Sequence, residues 1–396
     1  MYLHRVVIEM TEKLYDLDSY VVEFDCKVVN LYNIDDERLA VETDRTAFFP
    51  TGGGQTCDSG YLSDIRVDSV EIEHETILHI VENCEENVKK LQVGTVLHGV
   101  VDWNKRFSDM QQHSGEHLFS GVVHSLFGYN NVGFHLSQNE VTMDFDGILE
   151  YNDLCKVEDL VNKAIWDNIE IKVSYPDEKD LTSIEYRSKK EIDGPLRIVE
   201  IPGVDVCACC APHVRRTGEI GSLRVIAFEK HRGGTRIYIL CGERNLLDSR
   251  EKLLQNRLVS NMLSAKQNET AEFVQKLKDD NSKLQFELSG LKKELLKLKA
   301  SAVCRQKRIV EFADADGETL IEYADLLSEK AEEFAAVFSD SDAKRFVIIT
   351  KTDFDVSSLC REMNAALHSK GGGRGGIVQG SVNADKETIE QFLLNY

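Results

Sequence analysis

The sequence predicts an α+β protein in four parts. These are an N-terminal small β-barrel, an α+β domain with a metal site, a long coiled-coil helix and a C-terminal α/β domain. Three observations predict this. Short β-branched runs recur through residues 1–95. Two ligand pairs, His113/His117 and Cys209/His213, sit among mixed helical and strand patterns. A proline-free stretch from Glu243 to Lys299 repeats apolar residues at heptad spacing.

Composition sets outer limits. A chain of 396 residues is long enough for several domains. No apolar run is long enough to span a bilayer, and the start, Met1 to Glu9, lacks the layout of a secretory signal. The ten cysteines show no disulfide-framework spacing outside the cluster at 207–210, which points to reduced thiols and the cytoplasm. A net charge of −21 argues against a broad, sequence-blind grip on phosphate. Two local basic groups remain: Lys292 to Arg308, with seven cations, and Lys370 with Arg374.

The elements follow in order. Val21–Val29, Leu39–Thr43 and Thr76–Val81 alternate as strands of the barrel, with His4 and His79 as plain strand residues. Between strands lies Phe48-Phe49-Pro50-Thr51-Gly52-Gly53-Gly54-Gln55, followed by Asp58. Three glycines allow a sharp bend and close approach to a ligand, and the flanking aromatic and polar residues mark an ordered loop. Asp102 to Phe127 reads as a helix. Val141–Asp146, Ile169–Tyr175, Leu196–Ile201, Gly221–Phe228 and Thr235–Cys241 read as strands, and Cys155–Asp167 as a helix. Val274, Leu277, Leu284, Leu288, Leu291, Leu295 and Leu298 mark heptads, with Asn281 in one core slot. The alternative is an amphipathic helix docked on its own chain. The last part has a strand at Phe346–Thr350 and a helix at Ser357–Ser369. The helix closes in Gly371-Gly372-Gly373-Arg374, a tract able to cradle phosphate but not a Walker loop.

The ligand pairs carry the chemistry. Residues i and i+4 share a helix face, so His113 and His117 can grip one ion. Cys209-Cys210-Ala211-Pro212-His213 places a thiolate and an imidazole at the same interval, on a loop stiffened by Pro212. Three imidazoles and a thiolate suit one Zn²⁺ per chain. Cys207 and Cys210 are rival sulfurs, and the spacing to His213 favours Cys209. Glu116 precedes the second histidine rather than following the first, so zincin mechanics do not transfer.

In order and spacing these blocks, with Gly234-Thr235-Arg236-Ile237, resemble the long-form AlaX-type alanyl-tRNA editing proteins and the matching parts of alanyl-tRNA synthetase. The resemblance implies a β-barrel domain at 1–95 and a zinc-binding aminoacyl-tRNA editing domain at 96–242. It further implies a coiled-coil linker at 243–302 and a glycine-rich, DHH-associated-like domain at 303–396. It implies ATP-independent deacylation of mischarged tRNA(Ala), chiefly Ser-tRNA(Ala), with Gly-tRNA(Ala) as the second candidate. The zinc ligands would be His113, His117, Cys209 and His213, with Thr51 and Gln138 in the serine pocket. The partners would be the acceptor stem and 3′ end of tRNA(Ala), and a second copy of the chain through the coiled coil or the C-terminal domain, with no membrane. The alternatives are a non-catalytic, zinc-stabilised tRNA-binding module and editing of another aminoacyl-tRNA such as Ser-tRNA(Thr). Two departures stand out. The family usually has Cys-Gly-Gly-Thr-His at 209–213, and the synthetase's charging domain is absent, so no tRNA charging is expected.

Overall fold

The computed structural model describes residues 11–396 other than 74, 138–139, 182, 189–195, 316 and 341–343. Its mixed α+β content divides into two compact units, Met1–Gln255 and Asn256–Tyr396.

The first unit opens with a seven-stranded antiparallel sheet. Its order is Ile65–Val67, Gly60–Leu62, Val96–Val101, Glu23–Asn33, Arg38–Thr43, Thr76–Glu82 and Ser69–Glu73. Glu23–Asn33 pairs with Val96–Val101 through its first half and with Arg38–Thr43 through its second, with a register shift between Val28 and Asn30. Strict alternation sends Phe24, Cys26 and Val28 inward, where they join Val41, Phe48, Phe49, Ile77 and Val101 in one core. The pairing is an open order among the described residues, and Ile65–Val67 also lies against Thr76–Glu82.

His79 is wholly buried in this core. Its Nδ1–H donates to Val41 O (3.0 Å), and its Nε2 accepts from the Thr46 hydroxyl (2.8 Å). Burial pushes the imidazole down to about 4. The unfolded chain, titrating at about 6.5, therefore binds more protons than the folded one between these values. Stability is full above pH 6.5 and falls as the pH drops towards 4, by up to about 3 kcal/mol from this residue. In urea titrations from pH 7 to 4.5, His79→Gln is expected to flatten the acid loss by that amount. Equal slopes in the two proteins would remove His79 as the cause.

The helix Trp103–Phe127 follows. Asp102 caps it by accepting from the Asn104 and Lys105 amides, and Gly128 ends it at φ 72°. Its middle is buried all round although much of it is polar, and the polar groups have specific partners. Gln112, for example, donates to Cys241 O (2.9 Å) and accepts from Cys241 N (2.7 Å). Met110, Leu118, Phe119 and Val123 pack on a four-stranded antiparallel sheet, ordered Asn131–Leu136, Val141–Phe145, Gly234–Cys241, Leu223–His231. A Cβ at Gly115 would sit 2.3 Å from Cys241 Sγ, so only glycine lets helix and sheet approach this closely. A third sheet joins Lys172–Ser174, Ile198–Ile201 and Asp205–Ala208.

The expected single helix from 243 is two helices, Gly242–Leu263 and Thr270–Ala302. The break has a local cause. Ser264 lies at φ 52°, the Ser260 hydroxyl donates to Ala265 O (2.6 Å), and the Asn256 amide donates to Gln267 O (3.0 Å). Side chains here compete with the helical ladder. In the second unit, Leu296 and Ala300 dock Thr270–Ala302 on the helix Gly317–Ser328. The heptad leucines from 277 to 298 lie off this contact, 53–68 % exposed.

The second unit's sheet is ordered Gln306–Ala313, Ala331–Ser339, Lys344–Ile349, Ile377–Val382, Lys370–Arg374, with only the first pair parallel. The glycine tract is thus an edge strand of a hairpin rather than a loop closing a helix. One side of its backbone pairs with Ile377–Val382. The first basic group is also largely paired: Lys292 with Asp314, Lys293 with Glu322, and Lys307 and Arg308 with Glu333.

Candidate metal centre

His113 and His117 leave one face of the buried helix, ring centroids 5.4 Å apart. Cys209 follows the strand Asp205–Ala208, and His213 lies in the loop beyond it. One ligand atom from each of the four lies within 4.8 Å of the others. The tertiary fold therefore joins segments that the sequence separates.

Each imidazole has its own fastening. His113 Nδ1 meets Gln55 Oε1 (2.8 Å), His117 Nδ1 meets Asp205 Oδ2 (3.0 Å), and His213 Nδ1 meets Ser114 Oγ (3.0 Å). Protons on the three Nδ1 atoms satisfy all three contacts and leave three Nε2 lone pairs beside the sulfur. Cys209 Sγ lies 3.5 Å from His113 Nε2 and 3.4 Å from His213 Nε2. Tetrahedral zinc bonds of ordinary length would put N and S about 3.6 Å apart. The donor set and its spacing fit such an ion.

The electrostatics divide. Burial would lower His117, but Cys207 and the hydrogen bond to Asp205 outweigh it and hold this imidazole well above its usual range, whereas Cys209 and His213 are set for metal binding. Burial would raise the Cys209 thiol, but the imidazoles of His113 and His213 outweigh it and hold the sulfur well below the usual thiol range. Burial keeps His213 neutral, pushed down to about 3. Burial likewise opposes ionisation of Asp205, but the hydrogen bonds from His117 and Arg187 prevail and keep it a carboxylate. Arg187 grips Asp205 with Nε and Nη2, at 2.7 and 2.8 Å.

Cys207 is buried and groups with Asp205 and His117, while Cys210 is exposed and lies against Gly53. Alternation along Asp205–Ala208 puts Asp205 and Cys207 on one face, a sequence signal for Asp205 as a fastening, whereas Arg187 and Ser114 carry no local signal of theirs.

The glycine loop approaches from the seven-stranded sheet. Gly54, at φ 85°, would put a Cβ 2.6 Å from Phe134 O, and the Phe134 ring packs tilted against His113, centroids 4.8 Å apart. Asp58 closes the loop: it accepts from Phe49 N (2.6 Å), and its own amide donates to Phe49 O (2.9 Å). The fully buried Arg106 donates to Asp58, Ser19 O and Ala47 O. Gln55 is buried, and its Nε2 has no hydrogen-bond partner among the described residues. Thr51 begins the loop with an exposed side chain, its backbone N–H donating to Val70 O (3.0 Å). Gln138 lies outside the described residues.

Comparison with known proteins agrees with this layout. Residues 196–238 match the threonyl and alanyl tRNA synthetase second additional domain. The alanyl-tRNA editing protein AlaX-L of Pyrococcus horikoshii is 26% identical over 401 residues, 97% of this chain and 98% of that protein. An alanine–tRNA ligase of Ignicoccus hospitalis is 26% identical over 96% of this chain but only 42% of the ligase. AlaX-M of Saccharolobus solfataricus is 33% identical over 242 residues, 58% of this chain and 98% of that protein. With the metal-ligand cluster assembled beside the glycine loop and these likenesses extending end to end, the chain belongs to the AlaX-type alanyl-tRNA editing proteins, in their long form.

Proposed function

We propose that this chain deacylates mischarged tRNA(Ala), chiefly Ser-tRNA(Ala) and secondarily Gly-tRNA(Ala), with one zinc ion held by His113, His117, Cys209 and His213. The observation that carries the reading is the set of three fastened imidazoles whose Nε2 atoms converge on Cys209 Sγ. When bound, zinc supplies polarisation of an ester carbonyl or a water of lowered pKa, and it ties the Cys209 loop to the helix. The chain's own residues orient the substrate. Gln55 Nε2 offers a buried donor beside His113. The Thr51 hydroxyl is the candidate partner for the serine side chain, with Gln138 as the second pocket residue. A pocket built around a substrate hydroxyl rejects the analogue without one, because its own polar group is left unpaired.

Residues 1–95 fold as a barrel that presents the loop, 96–242 carry the reaction at the 3′ end of tRNA(Ala), 243–302 form the coiled-coil linker, and the glycine-rich domain 303–396 assists in binding the tRNA. A second copy of the chain pairs through the coiled coil, along its exposed leucine seam, or through the C-terminal domain, and the protein works in the cytoplasm. No helix among the described residues is long and apolar enough to cross a membrane.

The test is release of free amino acid from Ser-tRNA(Ala), Gly-tRNA(Ala), Ala-tRNA(Ala) and Ser-tRNA(Thr), with and without a chelator. Ser-tRNA(Ala) is expected to be hydrolysed, Ala-tRNA(Ala) spared, and the chelator to abolish activity. Thr51→Val is expected to lower the serine-to-alanine preference by about tenfold or more with zinc content unchanged. An unchanged preference would take Thr51 out of the pocket. Tight binding of Ser-tRNA(Ala) without hydrolysis would favour the non-catalytic module.

A further inference from the structure

A cavity of about 730 Å³ adjoins the metal-ligand cluster. His124, Asn130, Asn131, Tyr186, Arg187 and Asp205 are among its lining residues. Asp205 is the shared wall, since its carboxylate also accepts from His117 Nδ1 at 3.0 Å. The volume lies within the range of small-molecule sites and exceeds what a seryl group needs.

Tyr186 distinguishes this cavity. Its backbone neighbourhood is pinned: Arg187 N donates to Val206 O (2.8 Å), and Ala208 N donates to Arg187 O (2.9 Å). The Arg187 side chain is clamped on Asp205. Yet the Tyr186 ring is 37 % exposed and, among the described residues, has no aromatic contact and no hydrogen bond at its hydroxyl. A fixed backbone that presents an unpartnered ring beside side-chain amides and an imidazole is the chemistry that receives a nucleobase. Unstacked RNA bases are held by aromatic faces and by polar groups at their edges.

We propose that this cavity seats the 3′-terminal nucleoside of the aminoacylated RNA, with the Tyr186 ring as the stacking platform for its base. The inference rests on the deacylase reading, and it names the part of the substrate that the glycine loop does not hold. The ester then lies towards the four ligands and the nucleoside towards Asn130 and His124.

The experiment titrates full-length, zinc-loaded protein with a CCA trinucleotide carrying a non-hydrolysable 3′-seryl amide. Tyr186→Ala is expected to weaken binding by about tenfold or more, and Tyr186→Phe to bind within about twofold of the parent. Ser125→Trp, which brings a bulky ring to the cavity lining, is expected to match the alanine variant. Zinc per chain and the circular dichroism spectrum should stay at parent values in all three. On Ser-tRNA(Ala), Tyr186→Ala and Ser125→Trp should raise KM and leave kcat near the parent's. Parent-like probe binding by both variants, or no probe binding by the parent protein, would overturn the assignment. A parent protein that hydrolyses Ser-tRNA(Ala), with KM unchanged in both variants, refutes the cavity alone. One that binds the probe through Tyr186 but releases no serine refutes the hydrolysis and upholds the cavity.

Discussion

Cys209→Ala is expected to lower bound zinc from one per chain to below about a tenth, and to slow serine release from Ser-tRNA(Ala) by about a hundredfold or more. On the proposed reading the sulfur closes the set of four ligands. Its distances to His113 Nε2 and His213 Nε2, 3.5 and 3.4 Å, match one edge length of a tetrahedron. Without it three imidazoles remain, and the loop bearing His213 loses its tie to the helix. Cys210→Ala is expected to keep full zinc, because that thiol is exposed and turned to Gly53. Asp205→Asn should lie between, about 10–100-fold weaker for zinc, since it fastens a ligand without being one. Metal analysis and deacylation on the same samples decide this. Full zinc with full activity in Cys209→Ala would remove the sulfur from the site.

Asp58→Ala is expected to destabilise the unit Met1–Gln255 by about 3–5 kcal/mol in denaturant unfolding. Arg106 and Asp58 are 0 % and 1 % exposed, and the cost of burying both is offset only while both remain. Removing the carboxylate strands a buried guanidinium and also deprives Phe49 N–H of its acceptor. The glycine loop, held at its two ends by Asp58, should then loosen and release Gln55 from His113. Zinc affinity should therefore fall along with stability. Replacing both partners by apolar residues, as in Asp58→Leu with Arg106→Met, should recover part of the stability but not the loop geometry. A loss below about 1 kcal/mol in Asp58→Ala would show that the pair is dispensable.

Much of the site was legible before any fold was known. The interval of four between His113 and His117 becomes one helix face through backbone geometry alone. The same interval from Cys209 to His213 suits a loop that Pro212 keeps from becoming helix. The strands Arg38–Thr43, Thr76–Glu82 and Val141–Phe145 followed from alternation, and the helix expected over Asp102 to Phe127 is present as Trp103–Phe127. Gln55 and Asp58 were marked as features of an ordered loop, though not as the fastening of His113 and the partner of Arg106. The heptad pattern was read correctly as helical but could not show the break at 264–269. There Ser260 and Asn256 bond to the chain beyond the helix, and periodicity carries no record of side-chain competition. The glycine tract at 371–373 misled for a related reason. Gly371 to Gly373 pair with Gly380, Gln379 and Val378, so the tract's strand character comes from a neighbour rather than from its own residues.

By itself the sequence determined the ligand types, their spacing and the periodic elements that carry them, because these depend on residues a few positions apart on one backbone. The meeting of Cys209 with three imidazoles, the separate fastenings of those imidazoles, the burial of Arg106 against Asp58 and the unpartnered ring of Tyr186 were decided only by tertiary structure. Each depends on which distant segments meet through space, and that is set by burial of the common core rather than by any local pattern.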